Sequence, residues 1–174
     1  YCFNAEYLFH PFCETRTVGE MLSFHAEERR DAMLTYVVDL YAGIGTLGIE
    51  ALSRGALWAD FIEGSPKRCA LLRQSLAAMG FSSRSKVHCM KVERAITSLG
   101  KSYDLVLMDP PYTLGPIHHI MEKVGALAKD GALIATGHSK HHQLEPRYDG
   151  LELIRERQYG DTVCSIYREG RESW

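Results

Sequence analysis

With 174 residues, 45% of them hydrophobic, the chain has enough apolar material to build one sizeable core, so a single domain is expected over residues 1–174. A formal net charge of −2 argues against a strongly basic protein that coats nucleic acid. The five cysteines (Cys2, Cys13, Cys69, Cys89, Cys164) are odd in number and form no Cys-x-x-Cys pair, which predicts reduced, mostly buried thiols in a cytoplasmic protein.

No stretch is long and apolar enough to span a membrane, and no signal peptide is visible. Position 1 is Tyr rather than Met, so the natural N-terminus is expected upstream.

Within the N-terminal segment, residues 1–35, the first part is aromatic and without a clear period. Residues 18–34 carry spaced apolar positions and predict a helix with a solvated charged face. The first predicted strand is 36–41, an apolar run with Asp39 near its end. Ala42-Gly43-Ile44-Gly45-Thr46-Leu47-Gly48 follows, then a helix through Ala51 and Leu52 that stops at Gly55.

Residues 58–63 predict a second strand. Ser65-Pro66 predicts an N-cap with proline at the first helical position, and Leu72, Ser75, Leu76 and Met79 share one face of that helix. A strand over 86–91, a short helix over 93–99 and a strand over 103–109 come next.

Gly115-Pro116 opens a helix with Ile117, Ile120, Met121, Val124 and Leu127 on one stripe. Asp130-Gly131 predicts a turn before a fifth strand over 132–136. Residues 151–157 and 162–167 alternate and face each other across 158–161, a closing antiparallel pair. The alternation of strand and helix up to residue 136 predicts a doubly wound, mostly parallel α/β sheet, Rossmann-like, with that hairpin added.

Two motifs carry chemistry. Leu105, Val106, Leu107 and Met108 form an unbroken apolar run, and the prolines after Asp109 end it because neither can donate a ladder hydrogen bond. Asp109, Pro110, Pro111 and Tyr112 are thereby delivered to the carboxyl end of a central strand, where open α/β sheets bind ligands.

The Asp109 carboxylate and the Pro110 carbonyl are two rigid acceptors that match the two N–H bonds of an exocyclic amine. Pro111 restricts the Pro110 backbone, and Tyr112 offers a face on which a base can stack. An amine on a nucleobase is a poor nucleophile because its lone pair is delocalised. Two acceptors pulling on its hydrogens would favour a pyramidal nitrogen. Asp-Pro-Pro is also good turn chemistry, and a plain turn is the simpler alternative.

The second motif is Gly43, Gly45 and Gly48 in G-x-G-x-x-G spacing between strand and helix, with Glu63 closing the next strand where an acid can accept from ribose hydroxyls. Both features fit a nucleoside-containing cofactor. Asp39, just before the loop, would repel a pyrophosphate but suits an ammonium group, which favours S-adenosylmethionine over a dinucleotide.

These stretches, from Asp39 through Ala56, with Phe61-Ile62-Glu63, Asp109-Pro110-Pro111-Tyr112 and Tyr159-Gly160-Asp161-Thr162, resemble the bacterial 16S ribosomal RNA guanine-N2 methyltransferases, within the class I S-adenosylmethionine-dependent methyltransferases. The resemblance implies cofactor-binding roles for Asp39, Tyr41, Gly43, Gly45, Glu63 and Glu93, and catalytic roles for Asp109, Pro110, Pro111 and Tyr112. It also implies 16S ribosomal RNA as partner, and the slightly acidic composition favours that RNA within a partly assembled small subunit over protein-free RNA.

Val92 stands where the family has glycine, and only Arg30-Asp31 resembles the family's Arg-Glu pair ahead of the first strand. Two alternatives stay open: a DNA or protein amino-group methyltransferase with the same clamp, and a dinucleotide-binding redox or sensor module. No metal site is expected. His138, His141 and His142 cluster with Lys140 but lack a completing Cys or acid pattern and read as a solvated loop. His118 and His119 read as capping or exposed residues.

Overall fold

A computed structural model describes residues 35–100, 102–115 and 117–170, except for the side chain of Tyr112. The helix predicted over 18–34, Arg30-Asp31 and Pro116 lie outside these residues.

The strands are β1 (Tyr36–Leu40), β2 (Trp58–Glu63), β3 (Ser85–Cys89), β4 (Tyr103–Met108), β5 (Ala128–Ser139), β6 (Arg147–Tyr148), β7 (Leu151–Tyr159) and β8 (Thr162–Glu169). The helices are α1 (Thr46–Ser53), α2 (Pro66–Ala78), α3 (Val92–Ser98) and α4 (His118–Val124). All eight strands form one sheet in the order β3-β2-β1-β4-β5-β8-β7-β6. The β1–β2, β2–β3, β1–β4 and β4–β5 pairings are parallel. β8 runs antiparallel to both β5 and β7, which adds the expected antiparallel hairpin to the parallel part.

The central parallel strands β1, β2 and β4 are largely apolar and buried because both faces of the sheet are covered there, whereas edge strand β3 is mostly polar. Val38, Leu40, Val106, Met108 and Ile134 pack on one face with Ala95 and Ile96 of α3 and Ile120, Met121 and Val124 of α4. Val37, Leu105, Leu107, Leu133 and Ala135 pack on the other with Ala51 and Leu52 of α1 and Leu72 and Leu76 of α2. Strand order reverses between β1 and β4, and the crevice outside the carboxyl ends of those two strands is the ligand position of such sheets. Asp39 and Asp109 stand on either side of it.

Local signals explain most element ends. Ser65 caps α2 by accepting from the Arg68 amide at 3.5 Å, with Pro66 at the first helical position as predicted. Met79 departs from the predicted apolar face and is 55% exposed. The helix stops at Ala78, Met79 is its C-cap, and Gly80 at φ +75° turns the chain away.

Asp130-Gly131 is not a turn ahead of the fifth strand. It lies inside β5, where the register against β4 jumps from Tyr103↔Ala128 to Leu105↔Leu133. Gly131, at φ +74°, lets the extra residues bulge without ending the strand. α4 starts at His118 rather than at Gly115, and Leu127 falls in a following 3₁₀ turn, Gly125–Leu127.

Candidate active site

The site begins with the turn after β1. Tyr41 has φ +63°, a left-handed conformation that non-glycine residues seldom adopt, followed by Gly43 at φ +58° and Gly45 at φ +90°. Gly45 also has no room for a side chain, since a Cβ there would meet Leu72 Cδ1 at 2.3 Å. At Gly48 a Cβ would meet Phe61 Cε1 at 2.3 Å and Asp39 Oδ2 at 3.1 Å. The glycine spacing therefore lets the start of α1 press against β1 and β2.

That contact orders the first two acids. Asp39 is 1% exposed, and its Oδ2 accepts from the Gly48 amide at 2.9 Å. Burial pushes its carboxyl up to about 7. The Gly48 amide opposes the shift, and the charges of Asp109 and Glu63 add to it.

Glu63, 4% exposed, uses both oxygens: Oε2 accepts from the Gly43 amide at 2.9 Å and Oε1 from the Ser65 amide at 2.7 Å. Arg68 Nη2 reaches Oε1 at 3.0 Å. Glu63 thus ties the glycine loop to the start of α2. Burial first, and the nearby Glu93 charge second, push the Tyr41 hydroxyl up to about 12.

On the other side, Asp109 is half-buried, Pro110 buried and Pro111 exposed. The chain then turns through a 3₁₀ segment, Tyr112–Leu114, closed by the Leu114 amide on the Pro111 carbonyl at 2.9 Å. Gly137 on neighbouring β5 lies so close that a Cβ would meet Asp109 Oδ1 at 3.0 Å. A pocket opens beside Pro110 and Pro111, its far wall formed by Ile117, His138, Ser139 and Leu144.

Asp39, Tyr41, Gly43, Gly45, Glu63, Glu93, Asp109, Pro110 and Pro111 are therefore gathered along one edge of the sheet. Of Tyr112 only the backbone is placed. A buried Asp39, kept protonated by burial and by the charges of Asp109 and Glu63 beside it, makes a site suited to a positively charged ligand. S-adenosylmethionine, with its ammonium and sulfonium charges, fits that set, and a pyrophosphate does not.

Among the described residues no group of three or more His, Cys, Asp or Glu is arranged to hold a metal ion, and no helix is long and apolar enough to cross a membrane. Of the described cysteines, Cys69 is buried, Cys164 half-buried and Cys89 exposed, so the expectation of mostly buried thiols fails at Cys89.

His119 and His141 are exposed as expected, but the readings of His138 and His118 need correction. His138 is not part of a solvated loop. It is 5% exposed, with Nε2 2.8 Å from Ser165 Oγ. It continues the two-residue period of Ile134 and Thr136 along β5, which turns it inward, and extending the strand beyond residue 136 would have revealed this. His118 is neither a cap nor exposed. Its Nδ1 lies 2.7 Å from Tyr148 Oη and ties the start of α4 to β6.

The chain is 30% identical over 154 residues to the ribosomal RNA small subunit methyltransferase D of Buchnera aphidicola subsp. Acyrthosiphon pisum, covering 87% of this chain and 76% of that protein. A solved conserved hypothetical protein from Streptococcus pyogenes superposes with a TM-score of 0.74 at 28% identity, covering 86% of this chain and 94% of that one.

An RNA methyltransferase from Salinibacter ruber, solved with S-adenosyl-L-homocysteine, shares the fold at a TM-score of 0.66 and 14% identity, over 90% of this chain and 92% of that one. The architecture is that of the class I S-adenosylmethionine-dependent methyltransferases. The profile of the family described as Conserved hypothetical protein 95 matches residues 21–168, and the chain belongs to that family.

Proposed function

We propose that this protein is a cytoplasmic methyltransferase that uses S-adenosylmethionine to methylate guanine N2 of 16S ribosomal RNA within a partly assembled small subunit. One observation carries the reading: a buried acid set around a glycine loop, Asp39 with Glu63, faces the Asp109-Pro110-Pro111 clamp across the reversal of the sheet. The small-subunit ribosomal RNA methyltransferase among its relatives supports the substrate class.

When bound, S-adenosylmethionine supplies an electrophilic methyl on a sulfonium centre. Asp39 would balance the ammonium charge, Glu63 would accept from the ribose hydroxyls in exchange for part of its loop contacts, and Glu93 with Tyr41 would hold the adenine. The Asp109 carboxylate and Pro110 carbonyl accept the two amine hydrogens and aim the nitrogen lone pair into the crevice, while Tyr112 stacks on the base. The Asp109 carboxylate would also offset positive charge gained by the amine nitrogen and, as the acceptor of one of its hydrogens, is placed to take the proton that nitrogen must lose. The target base must leave its stack to reach the sheet edge.

The test is transfer of a labelled methyl to small-subunit particles, duplex DNA and protein, with unaltered enzyme and with Asp109→Ala. We expect transfer to RNA, slowed about 10²–10³-fold by the substitution, as for loss of one preorganised polar group at a reacting centre. Label in DNA or protein would redirect the substrate. Full activity of Asp109→Ala would reduce the motif to a turn.

A further inference from the structure

We propose that His138 is a specificity-determining residue that, together with the Ser139 carbonyl, accepts the N1–H of the target guanine. The inference rests on the guanine-N2 reading and adds the means by which the base is told from others. His138 and Ser139 line the pocket beside Pro110 and Pro111, one strand away from Asp109.

The hydrogen count around the ring is informative. Ser165, fully buried on β8, lies 3.0 Å from Glu156 Oε2 on β7. An ionised carboxylate only accepts, so the single hydroxyl proton of Ser165 goes to Glu156. Ser165 Oγ is then an acceptor toward His138 Nε2 at 2.8 Å, which puts the ring proton on Nε2. In the neutral ring Nδ1 is left as a bare acceptor, 3.2 Å from the Ser139 carbonyl, which already accepts from the His142 amide at 2.9 Å and keeps its second lone pair. One N–H arriving between them would give Nδ1 its donor and relieve the two facing lone pairs.

Guanine alone among the four bases brings such a hydrogen next to an exocyclic amine. Its N1–H adjoins the carbon that bears N2. Adenine N1 and cytosine N3, beside their own amines, carry lone pairs that would face two acceptors. A buried acceptor without a donor is penalised, so the arrangement selects against those bases as well as for guanine. Glu156 and Ser165 touch no substrate in this scheme. They fix the tautomer, as the carboxylate does for a histidine in a catalytic triad.

The probe is 2-aminopurine, which keeps the 2-amine and lacks N1–H. Small-subunit particles would be reconstituted with 16S RNA carrying guanosine or 2-aminopurine at the mapped methylation position, and kcat/KM compared. The unaltered enzyme should prefer guanosine by at least about a hundredfold, because a site built to bond a substrate N–H rejects the analogue without it. Glu156→Gln frees the Ser165 proton for Nε2, and His138→Ala removes the acceptor. Either should shrink the preference to below about tenfold with S-adenosylmethionine affinity unchanged, which also certifies folding.

Ring-nitrogen NMR shifts should place the His138 proton on Nε2 in the unaltered enzyme and on Nδ1 in Glu156→Gln. A full preference retained in both variants, or a proton on Nδ1 in the unaltered enzyme, would overturn the assignment. If guanosine particles are not methylated at all, the guanine-N2 reading fails instead, and the tautomer measurement still decides the relay.

Discussion

Asp39 holds its proton to about pH 7 because burial outweighs the Gly48 amide and because Asp109 and Glu63 repel its charge. A cationic ligand reverses that balance by stabilising the carboxylate, so binding below pH 7 must expel the proton. Calorimetric titration with S-adenosylmethionine in buffers of different ionisation enthalpy should show release approaching one proton near pH 6 and almost none near pH 8. Affinity should rise with pH up to about 7 and then level, and Asp39→Asn should abolish the release.

The same group acts on the ligand-free fold in the opposite sense. Its folded value of about 7 lies above the ordinary 3.8, so the folded chain keeps a proton that the unfolded chain has lost. The contribution of Asp39 to stability is full below the lower value and is lost as pH rises through the higher one. Glu63 contributes through bonds already made to Gly43 and Ser65. Glu63→Ala should weaken S-adenosylmethionine binding by about 1.5–3 kcal/mol, the worth of a charged acceptor. Unchanged affinity would remove Glu63 from the site.

At the scale of elements, the junction of β1 with α1 carries the cofactor side of the site, and its tolerance is set by Gly48. The Phe61 ring that a Cβ at Gly48 would strike is fully buried between strands and helices and cannot swing away. Gly48→Ala should therefore lower stability by about 1–3 kcal/mol, the usual cost of overpacking a core, and loosen the amide on Asp39. A denaturant midpoint equal to that of the unaltered chain would show that α1 can shift freely.

This junction was legible in the sequence because glycine spacing and an apolar run are local signals. So were β4 and its Asp109-Pro110-Pro111 ending. Other features needed the fold. β5 runs through Asp130-Gly131 because β4 pairs with it on both sides, at Ala128 and from Leu133 on, which overrides a turn signal. His138, Ser165 and Glu156 come from three strands and meet only through antiparallel pairing, so no spacing along the chain announces them. Arg68 reaches Glu63 because Ser65 starts α2 directly behind it.

For the molecule as a whole, the formal charge of −2 limits how well it can hold protein-free RNA, since affinity for a naked phosphate backbone depends on clustered basic residues. A folded, protein-bearing particle can present one guanine already out of its stack, which reduces an unstacking cost of about a few kcal/mol. Particles should accordingly be methylated faster than naked 16S RNA at matched salt. Equal or faster methylation of naked RNA would defeat the preference for particles.

Whether the Asp109-Pro110 clamp presents guanine N2 to S-adenosylmethionine is decided by incubating the enzyme with isotopically labelled S-adenosylmethionine and small subunits from cells lacking it, then identifying the labelled nucleoside by mass spectrometry. Label should appear in N2-methylguanosine at one position and be nearly absent with Asp109→Ala. Label in N6-methyladenosine, or none in RNA, would rule the clamp out.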